Sequence, residues 1–166
     1  ISVTGVQTCA LPISLGTGGA LLLAAAQIST EEYCLVLNGD TYFAADLNTL
    51  TGFAHKHRAD WCFSLFRPAE EGRYMGMEVS PDGQITALKS SSALPGRLAN
   101  GGVYWLRTRA LQNYGFPAGT KLSLEDDLAP AAVAQGQRVF GCEFPGPFID
   151  IGVPADYHRA ATVIAA

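Results

Sequence analysis

Short apolar runs alternate along this chain with longer segments in which apolar residues recur at helical spacing. The apolar runs predict strands over residues 33–38, 60–66, 102–106 and 138–144, and a hairpin of 74–79 and 85–88 around a Ser-Pro-Asp-Gly turn. Helices are predicted over residues 20–28, 46–58, 123–135 and 154 to the end, with a short helix ending near Tyr114. Strands that alternate with helices in this way predict an α/β domain with a mixed sheet.

Two of the predicted helices begin at capping signals. Asp46 is a suitable N-cap for the helix that follows it, and Ser123 and Asp126 have the spacing of a capping box. Gly136 is a typical stop for the second of these helices, whereas Pro130 inside it conflicts with one straight helix. We therefore expect a kink there, or two separate pieces.

Composition restricts the possible partners and location. The chain has 166 residues, enough for one domain with a core, and is 48% hydrophobic and 16% charged. Its net charge is −4 without a basic cluster, which argues against nucleic acid as a partner. The longest apolar stretch, residues 20–26, is too short to span a membrane. None of the four cysteines has metal-ligand spacing, so we expect a reduced, cytoplasmic protein.

The first 14 residues differ from the rest of the chain. Their sequence, ISVTGVQTCALPIS, has neither helical nor strand period and looks like the translation of a sequencing-library adapter. We expect a non-native segment over residues 1–14 and one domain over 15–166, so that the natural protein is longer and lacks its own amino terminus here. The alternative is a genuine amino-terminal arm.

Two aspartates follow apolar, strand-like residues at distant points of the chain. Asp40 ends the stretch CLVLNGD, and Asp150 ends the stretch FID. Ligands of open α/β sheets bind beyond the carboxyl ends of the strands. Two carboxylates close together need a proton or cation between them, and Mg²⁺ held jointly with a substrate phosphate suits such oxygen ligands. Alternatively, both residues cap turns on opposite sides of the domain.

Other positions have both a functional and a structural interpretation. Three glycines at 16, 18 and 19 precede a predicted helix, where unpaired N–H groups suit an anion, but a plain turn is equally consistent. Asn100, before a predicted strand, either holds a ligand hydroxyl or builds a turn. Glu125 lies in a first helical turn, where acidic residues are favoured in any case. No Ser-His-Asp or Cys-His arrangement is visible in the sequence.

Five motifs occur together in the order seen in sugar-1-phosphate nucleotidyltransferases. They are LGTGGAL (15–21), LNGD (37–40), NGGVY (100–104), SLEDD (123–127) and FIDIGVPADY (148–157). From residue 15 to the end, the chain most resembles the D-glycero-D-manno-heptose 1-phosphate guanylyltransferases, near the mannose-1-phosphate guanylyltransferases. The motif order is specific for the superfamily and weak for the sugar.

This resemblance implies a Rossmann-like nucleotidyltransferase fold, a GT-A-like three-layer α/β domain with a mixed sheet, here without its amino-terminal strand and loop. In that family an oxygen of the sugar phosphate attacks the α-phosphorus of a nucleoside triphosphate, and pyrophosphate leaves. By position, Asp40 and Asp150 would be the catalytic residues that hold Mg²⁺. The nucleotide would contact Gly16, Thr17, Gly18, Gly19, Asn38 and Gly39. The sugar phosphate would contact Gly76, Asn100, Gly101 and Glu125.

The chain departs from the family pattern in three places. The family's amino-terminal glycine-rich loop, with its catalytic Arg and following Pro-Lys-Pro, has no counterpart before residue 15. Ser90 and Ser91 stand where a Glu-Lys pair is usual, which leaves Lys89 as the substitute phosphate-binding lysine. The usual Tyr-Gly before the hairpin is interrupted by Met75.

These departures favour an inactive carboxy-terminal part of an NDP-sugar-forming enzyme. One alternative is a metal-dependent glycosyltransferase of similar fold, whose Asp-x-Asp motif would occupy residues 38–40; Asn38 argues against it. The other alternative is a non-catalytic regulatory homologue.

Overall fold

The computed structural model describes residues 14–165 apart from 29, 69–73, 75 and 91–96. Some predictions concern residues outside this described part. They are those made for residues 1–13, for the loop at 70–72, for Met75 and for Ser91.

The described elements follow one another as alternating helices and strands. The strands are β1 Tyr33–Leu37, β2 Thr41–Phe43, β3 Trp61–Phe66, β4 Gly76–Val79, β5 Ile85–Ser90, β6 Leu98–Arg107, β7 Val139–Glu143 and β8 Phe148–Asp150. The α-helices are α1 Gly16–Ala25, α2 Leu47–Lys56, α3 Ala129–Ala134, α4 Pro154–Tyr157 and α5 Ala160–Ile164. A 3₁₀ turn, Thr108–Leu111, follows β6, and a π-helical turn, Leu124–Leu128, leads into α3. None of the described helices is long and apolar enough to cross a membrane.

The main sheet is mixed and is built around β6. This long strand has β3 on one side; on its other side it pairs with β4 near its start and with β1 near its end. β5 extends the sheet beyond β4, and β7 extends it beyond β3. β3 and β7 run parallel, whereas the other described pairings of this sheet are antiparallel. Together with the separate antiparallel ribbon of β2 and β8, this confirms the predicted α/β domain with a mixed sheet.

Side chains of β3 and β6 alternate between two apolar cores, one on each face of the sheet. On one face Trp61, Phe63 and Tyr104 pack with α1, the π-helical turn and α3. On the other face Cys62 and Trp105 pack with α2 and the aromatic residues around the ribbon. All six residues of β3 are buried, which is why its sequence is apolar apart from Ser64 rather than alternating.

Several boundaries differ from the sequence prediction. β6 begins at Leu98, so Asn100 lies inside a strand rather than before one. Helix α1 begins at Gly16, and the predicted glycine-rich turn is therefore the first turn of that helix. The helix predicted from Pro154 to the end consists of two short pieces, α4 and α5, and the helix predicted before Tyr114 is the 3₁₀ turn. Nothing in the sequence predicts β2, because three residues are too few to show a period.

The predicted helix caps are present, one of them in a modified form. Asp46 caps α2 as predicted. Ser123 Oγ accepts a hydrogen bond from the Asp126 amide at 3.0 Å, but the Ser123 amide donates to Asp127 Oδ2 at 2.7 Å, one residue later than a capping box predicts. The wider π-helical turn explains the change, because it brings the next carboxylate round to the cap. Pro130 lies in the first turn of α3, which confirms that the predicted helix is in two pieces.

Candidate functional site

The β2–β8 ribbon brings the two predicted metal-binding aspartates together. Thr41 pairs with Asp150 in the ribbon, and the Ile151 amide donates to the Asp40 carbonyl at 2.8 Å. Asp40 therefore lies directly before β2 and beside the end of β8. Asp40 is exposed and Asp150 is half-buried, so both remain accessible to a ligand. The two residues therefore do not lie on opposite sides of the domain, although Asp150 does accept a turn hydrogen bond, from the Gly152 amide.

Gly152 lies against both carboxylates. Its amide donates to Asp150 Oδ1 at 2.9 Å. A Cβ atom added at this position would lie 3.0 Å from Asp150 Oδ1 and 3.6 Å from Asp40 Oδ2. The two carboxylates therefore border the same small space, which a side chain at residue 152 would fill.

The end of β1 is joined to a distorted part of β6. The Asn38 amide donates to the Gly102 carbonyl at 2.8 Å, and Gly102 adopts a φ of +72°. A Cβ atom at Gly101 would lie 2.3 Å from the Phe43 ring and 2.8 Å from Ser64 Oγ. Gly101 thus lets the ribbon pack directly on β6, and this packing positions the aspartates beside the end of β1.

Asn100, Tyr104 and Glu125 form a hydrogen-bonded cluster between β6 and the π-helical turn. The Tyr104 hydroxyl donates to Glu125 Oε1 at 2.7 Å, and Asn100 Nδ2 donates to the Tyr104 oxygen at 2.8 Å. Asn100 Oδ1 accepts from the Gly102 amide at 3.0 Å. Burial, followed by the charge of Glu125, raises the pKa of Tyr104 far above its usual range, so its hydroxyl stays protonated. Two residues predicted to contact the sugar, Asn100 and Glu125, are thus brought together.

The glycine-rich start of α1 packs against the segment before the π-helical turn. A Cβ atom at Gly16 would lie 2.4 Å from the Leu122 carbonyl oxygen, and one at Gly18 would lie 2.8 Å from the Ser123 carbonyl oxygen. Such distances are too short for any residue with a side chain. Glycine is therefore required here by the approach of two backbones of this chain.

Hydrogen bonds tie the same stretch to the site. The Gly18 and Gly19 amides both donate to the Leu122 carbonyl, at 2.8 and 3.4 Å, so the expectation of unpaired N–H groups is wrong for these two residues. Thr17 Oγ1 accepts from the Leu124 amide at 2.9 Å, next to Glu125 in sequence. Nucleotide binding by this stretch stays a prediction, and the exposed Thr17 is the member most open to a ligand.

Lys89 and Gly76 lie on the hairpin strands beside the cluster. The Lys89 ammonium group forms an ion pair with Asp126, and the two residues line a cavity of about 350 Å³ together with Glu125. The rest of that lining comes from Ile85, Thr86, Leu88, Pro130 and Val133. Gly76 is buried, and a Cβ atom there would lie 2.8 Å from the side chain of Arg97. Lys89 and Glu125 thus line the same cavity, and the role of Lys89 as a substitute phosphate-binding lysine stays a prediction.

Two residues of the site are missed by reasoning from the residues alone. Tyr104 lies in a strand-like apolar run and is indistinguishable there from a core aromatic residue. Gly152 follows Asp150 in what looks like an ordinary turn. The available signal for both is their position inside the quoted motifs NGGVY and FIDIGVPADY.

Relatives of this chain include several sugar-phosphate guanylyltransferases. The chain is 32% identical over 146 residues to the D-glycero-alpha-D-manno-heptose 1-phosphate guanylyltransferase of Aneurinibacillus thermoaerophilus, which covers 88% of this chain and 61% of the relative. It is 27% identical over 149 residues to the mannose-1-phosphate guanylyltransferase of Mycobacterium tuberculosis, which covers 89% of this chain and 41% of the relative. The chain thus spans less than two thirds of the length of these relatives.

Solved structures show the same fold. HddC from Yersinia pseudotuberculosis superposes with a TM-score of 0.75 at 26% identity, over 90% of this chain and 62% of that protein. Its complex with GMP-PN gives a TM-score of 0.70. A family model described as nucleotidyl transferase matches residues 4–166, a range that begins inside the segment predicted to be non-native. The chain therefore belongs to the nucleotidyl transferase family and has its Rossmann-like fold.

Proposed function

We propose that this chain is part of a sugar-1-phosphate guanylyltransferase that forms a GDP-sugar of the heptose or mannose type. In the reaction, a phosphate oxygen of the sugar 1-phosphate attacks the α-phosphorus of GTP and forms a new P–O bond. The bond between the α-phosphorus and the bridging oxygen breaks, and pyrophosphate leaves with the electron pair. The observation that carries the proposal is the Asp40–Asp150 carboxylate pair at Gly152. The nucleotide and the sugar class are taken from the relatives, which are heptose- and mannose-1-phosphate guanylyltransferases.

The donor set of this carboxylate pair fits Mg²⁺. Both side chains offer hard oxygen ligands, and the missing side chain at Gly152 keeps the space beside them open. Two protein carboxylates are a usual number for Mg²⁺, which completes its octahedron with water and substrate phosphates. In the described part of the chain no group of three or more His, Cys, Asp or Glu residues is placed to hold a metal ion. When bound, Mg²⁺ would neutralise negative charge on the phosphate oxygens.

The remaining predicted residues divide into a nucleotide side and a sugar side. On the nucleotide side, Thr17 and Gly39 are exposed, and the Asn38 amide is hydrogen-bonded to Gly102 of β6. On the sugar side, Glu125 accepts hydrogen bonds from sugar hydroxyls, and Lys89 in the same cavity attracts the sugar phosphate. We place this reaction in the cytoplasm, where nucleoside triphosphates are available.

Metal binding is tested without requiring turnover. Mn²⁺, used as a paramagnetic probe in place of Mg²⁺, is titrated into the ¹⁵N-labelled chain. The amide resonances near Gly152 should broaden in the wild type, and this broadening should be lost in Asp40→Asn and Asp150→Asn. Asp82→Asn, an exposed carboxylate in the Ser80–Gly83 turn, is the matched control and should behave as the wild type.

Activity is tested by pyrophosphate release with GTP, CTP, UTP and dTTP, each paired with heptose or mannose 1-phosphate. We expect little or no turnover by the 166-residue chain, and GTP-dependent turnover by the product of the complete gene. A complete product that binds these substrates but releases no pyrophosphate would refute the enzyme and favour the non-catalytic homologue. Robust turnover by the 166-residue chain would show that the absent glycine-rich loop is not needed.

A further inference from the structure

The hydroxyl of Tyr104 lies at the centre of the hydrogen-bonded cluster beside Glu125. Its ring is completely buried and packs edge-on against Phe63, with the ring centroids 5.1 Å apart. The hydroxyl donates to Glu125 Oε1 and accepts from Asn100 Nδ2, at 2.7 and 2.8 Å. One buried oxygen therefore joins the distorted part of β6 to the π-helical turn.

This hydroxyl faces protein groups rather than open space. A tyrosine hydroxyl offers one donor and two acceptor sites. The donor is used by Glu125, Asn100 Nδ2 uses one acceptor site, and the residue is completely buried. Tyr104 therefore acts through its protein neighbours rather than by touching a ligand.

Glu125, in contrast, keeps acceptor capacity on one side. Its Oε1 is held by Tyr104 and lies 3.4 Å from Asn100 Nδ2. Its Oε2 accepts a hydrogen bond from the Ser123 hydroxyl, at the longer distance of 3.3 Å. Because each carboxylate oxygen accepts about two hydrogen bonds, Oε2 has room for a hydroxyl donor from a ligand.

We propose that Tyr104 is a positioning residue that fixes the Glu125 carboxylate so that its Oε2 accepts a hydrogen bond from a hydroxyl of the sugar ring. A carboxylate only accepts hydrogen bonds, so it selects a sugar carrying a hydroxyl at that point over a deoxy analogue. The inference rests on the proposed function, because it assumes that Glu125 faces the sugar.

The experiment measures binding of mannose 1-phosphate and, separately, of GTP with Mg²⁺, by isothermal titration calorimetry. The variants are Tyr104→Phe, Glu125→Gln and the double variant of both. Tyr114→Phe is the matched control, since it removes a hydroxyl that donates to Gln137 on the other side of the same core. Thermal unfolding of each variant separates loss of fold from loss of binding.

We expect Tyr104→Phe to weaken mannose 1-phosphate binding on the order of tenfold, because a hydrogen bond to a charged group is lost. GTP affinity should change less than twofold, about the scatter of such measurements, and Tyr114→Phe should bind both ligands as the wild type does. Adding Tyr104→Phe to Glu125→Gln should cause no further loss, because a positioning residue acts only through its partner. Additive losses in the double variant, or unchanged sugar affinity in Tyr104→Phe, would overturn the inference while leaving the proposed function intact.

Two results concern the foundation of the inference. A wild-type chain that binds GTP but no sugar 1-phosphate, even when lengthened to the complete gene product, would overturn the proposed function and the inference together. If Tyr104→Phe fails to fold, a crystal structure of the wild type with mannose 1-phosphate decides. A sugar hydroxyl on Glu125 Oε2 supports the inference, and a direct contact of the sugar with the Tyr104 hydroxyl refutes it.

Discussion

Replacing Gly101 by alanine should destabilise the fold and displace the carboxylate pair in one step. The added Cβ would lie 2.3 and 2.5 Å from two ring carbons of Phe43 and 2.8 Å from Ser64 Oγ. Normal carbon–carbon contacts are about 3.5–4.0 Å, so the ring has to move by about 1 Å or more. The ring is enclosed by the rings of Phe66, Phe144 and Phe148, with centroids 5.8–6.1 Å away, which leaves it little freedom to move.

The expected cost follows from this overlap. Overpacking a buried site costs about 1–3 kcal/mol, and the enclosed ring places Gly101→Ala in the upper half of that range. Alanine also lowers the conformational entropy of the unfolded chain, which stabilises the folded state by about 0.4–1 kcal/mol and offsets part of that cost. The net loss in the free energy of unfolding should therefore be about 2 kcal/mol. Gly52→Ala is the matched control, because nothing lies within 4 Å of its added Cβ in α2; it should stabilise the chain by about 0.5–1 kcal/mol.

Urea unfolding at 25 °C measures both variants. With a denaturant slope of about 2 kcal/mol/M, the unfolding midpoint of Gly101→Ala should fall by about 1 M. Phe43 pairs with Phe148 in the ribbon that carries both aspartates, so the Mn²⁺-induced broadening near Gly152 should weaken in the same variant. Adding Phe43→Leu should restore part of the stability, since a smaller side chain relieves the overlap. A Gly101→Ala chain as stable as the wild type would show that the ribbon does not pack on β6 as described.

Three further outcomes are expected. Burial raises the pKa of both Cys34 and Cys142 to about 11. The stability that the two protonated thiols contribute is therefore complete below about pH 9 and is lost as the pH rises to about 11. Chemical unfolding across that range should show a smaller loss of stability with pH when both cysteines are replaced by alanine. Leu37 is 58% exposed on β1, and the described pairing of this strand is with β6 alone. Because an apolar strand edge can pair with another copy of the chain, Leu37→Lys should reduce self-association, measured by sedimentation velocity. The reduction should be larger than that caused by Leu23→Lys on α1. Deleting residues 1–14 should leave the urea midpoint unchanged, and a large fall would identify them as real structure.

The sequence predicts a strand best where burial on both faces produces a nearly unbroken apolar run, as in β3. It predicts β6 less well because Asn100-Gly101-Gly102 has the composition of a turn. In the structure this stretch lies within the strand, and Gly102 has the positive φ that suits glycine. The contact of Gly101 with Phe43 decides the outcome, and the two residues are far apart in the chain. The turn propensity of residues 100–102 is thus overridden by a tertiary contact, which cannot be predicted from the local sequence.

The positions of the candidate site could be predicted from the sequence, but the hydrogen bonds between them could not. Asp40 and Asp150 are identified by what precedes them, and motif order then links them to Glu125. The bond from Tyr104 to Glu125 spans 21 residues and joins a strand to a π-helical turn, so neither periodicity nor spacing indicates it. The apolar neighbours of Tyr104 in the sequence give no sign that its hydroxyl has a partner.

The glycines of the motifs share a physical role that differs from direct ligand contact. Gly18 lets α1 approach the backbone before the π-helical turn, Gly101 lets the ribbon approach β6, and Gly152 leaves open the space beside two carboxylates. Each of these close contacts fixes the position of acidic residues. The contact at Gly18 positions Glu125, and the contacts at Gly101 and Gly152 position Asp40 and Asp150. The glycine-rich motifs of this chain therefore mark positions where elements pack closely, and this packing brings the acidic side chains together. Substituting these glycines should damage the site through the carboxylates, even where no ligand touches the glycine itself.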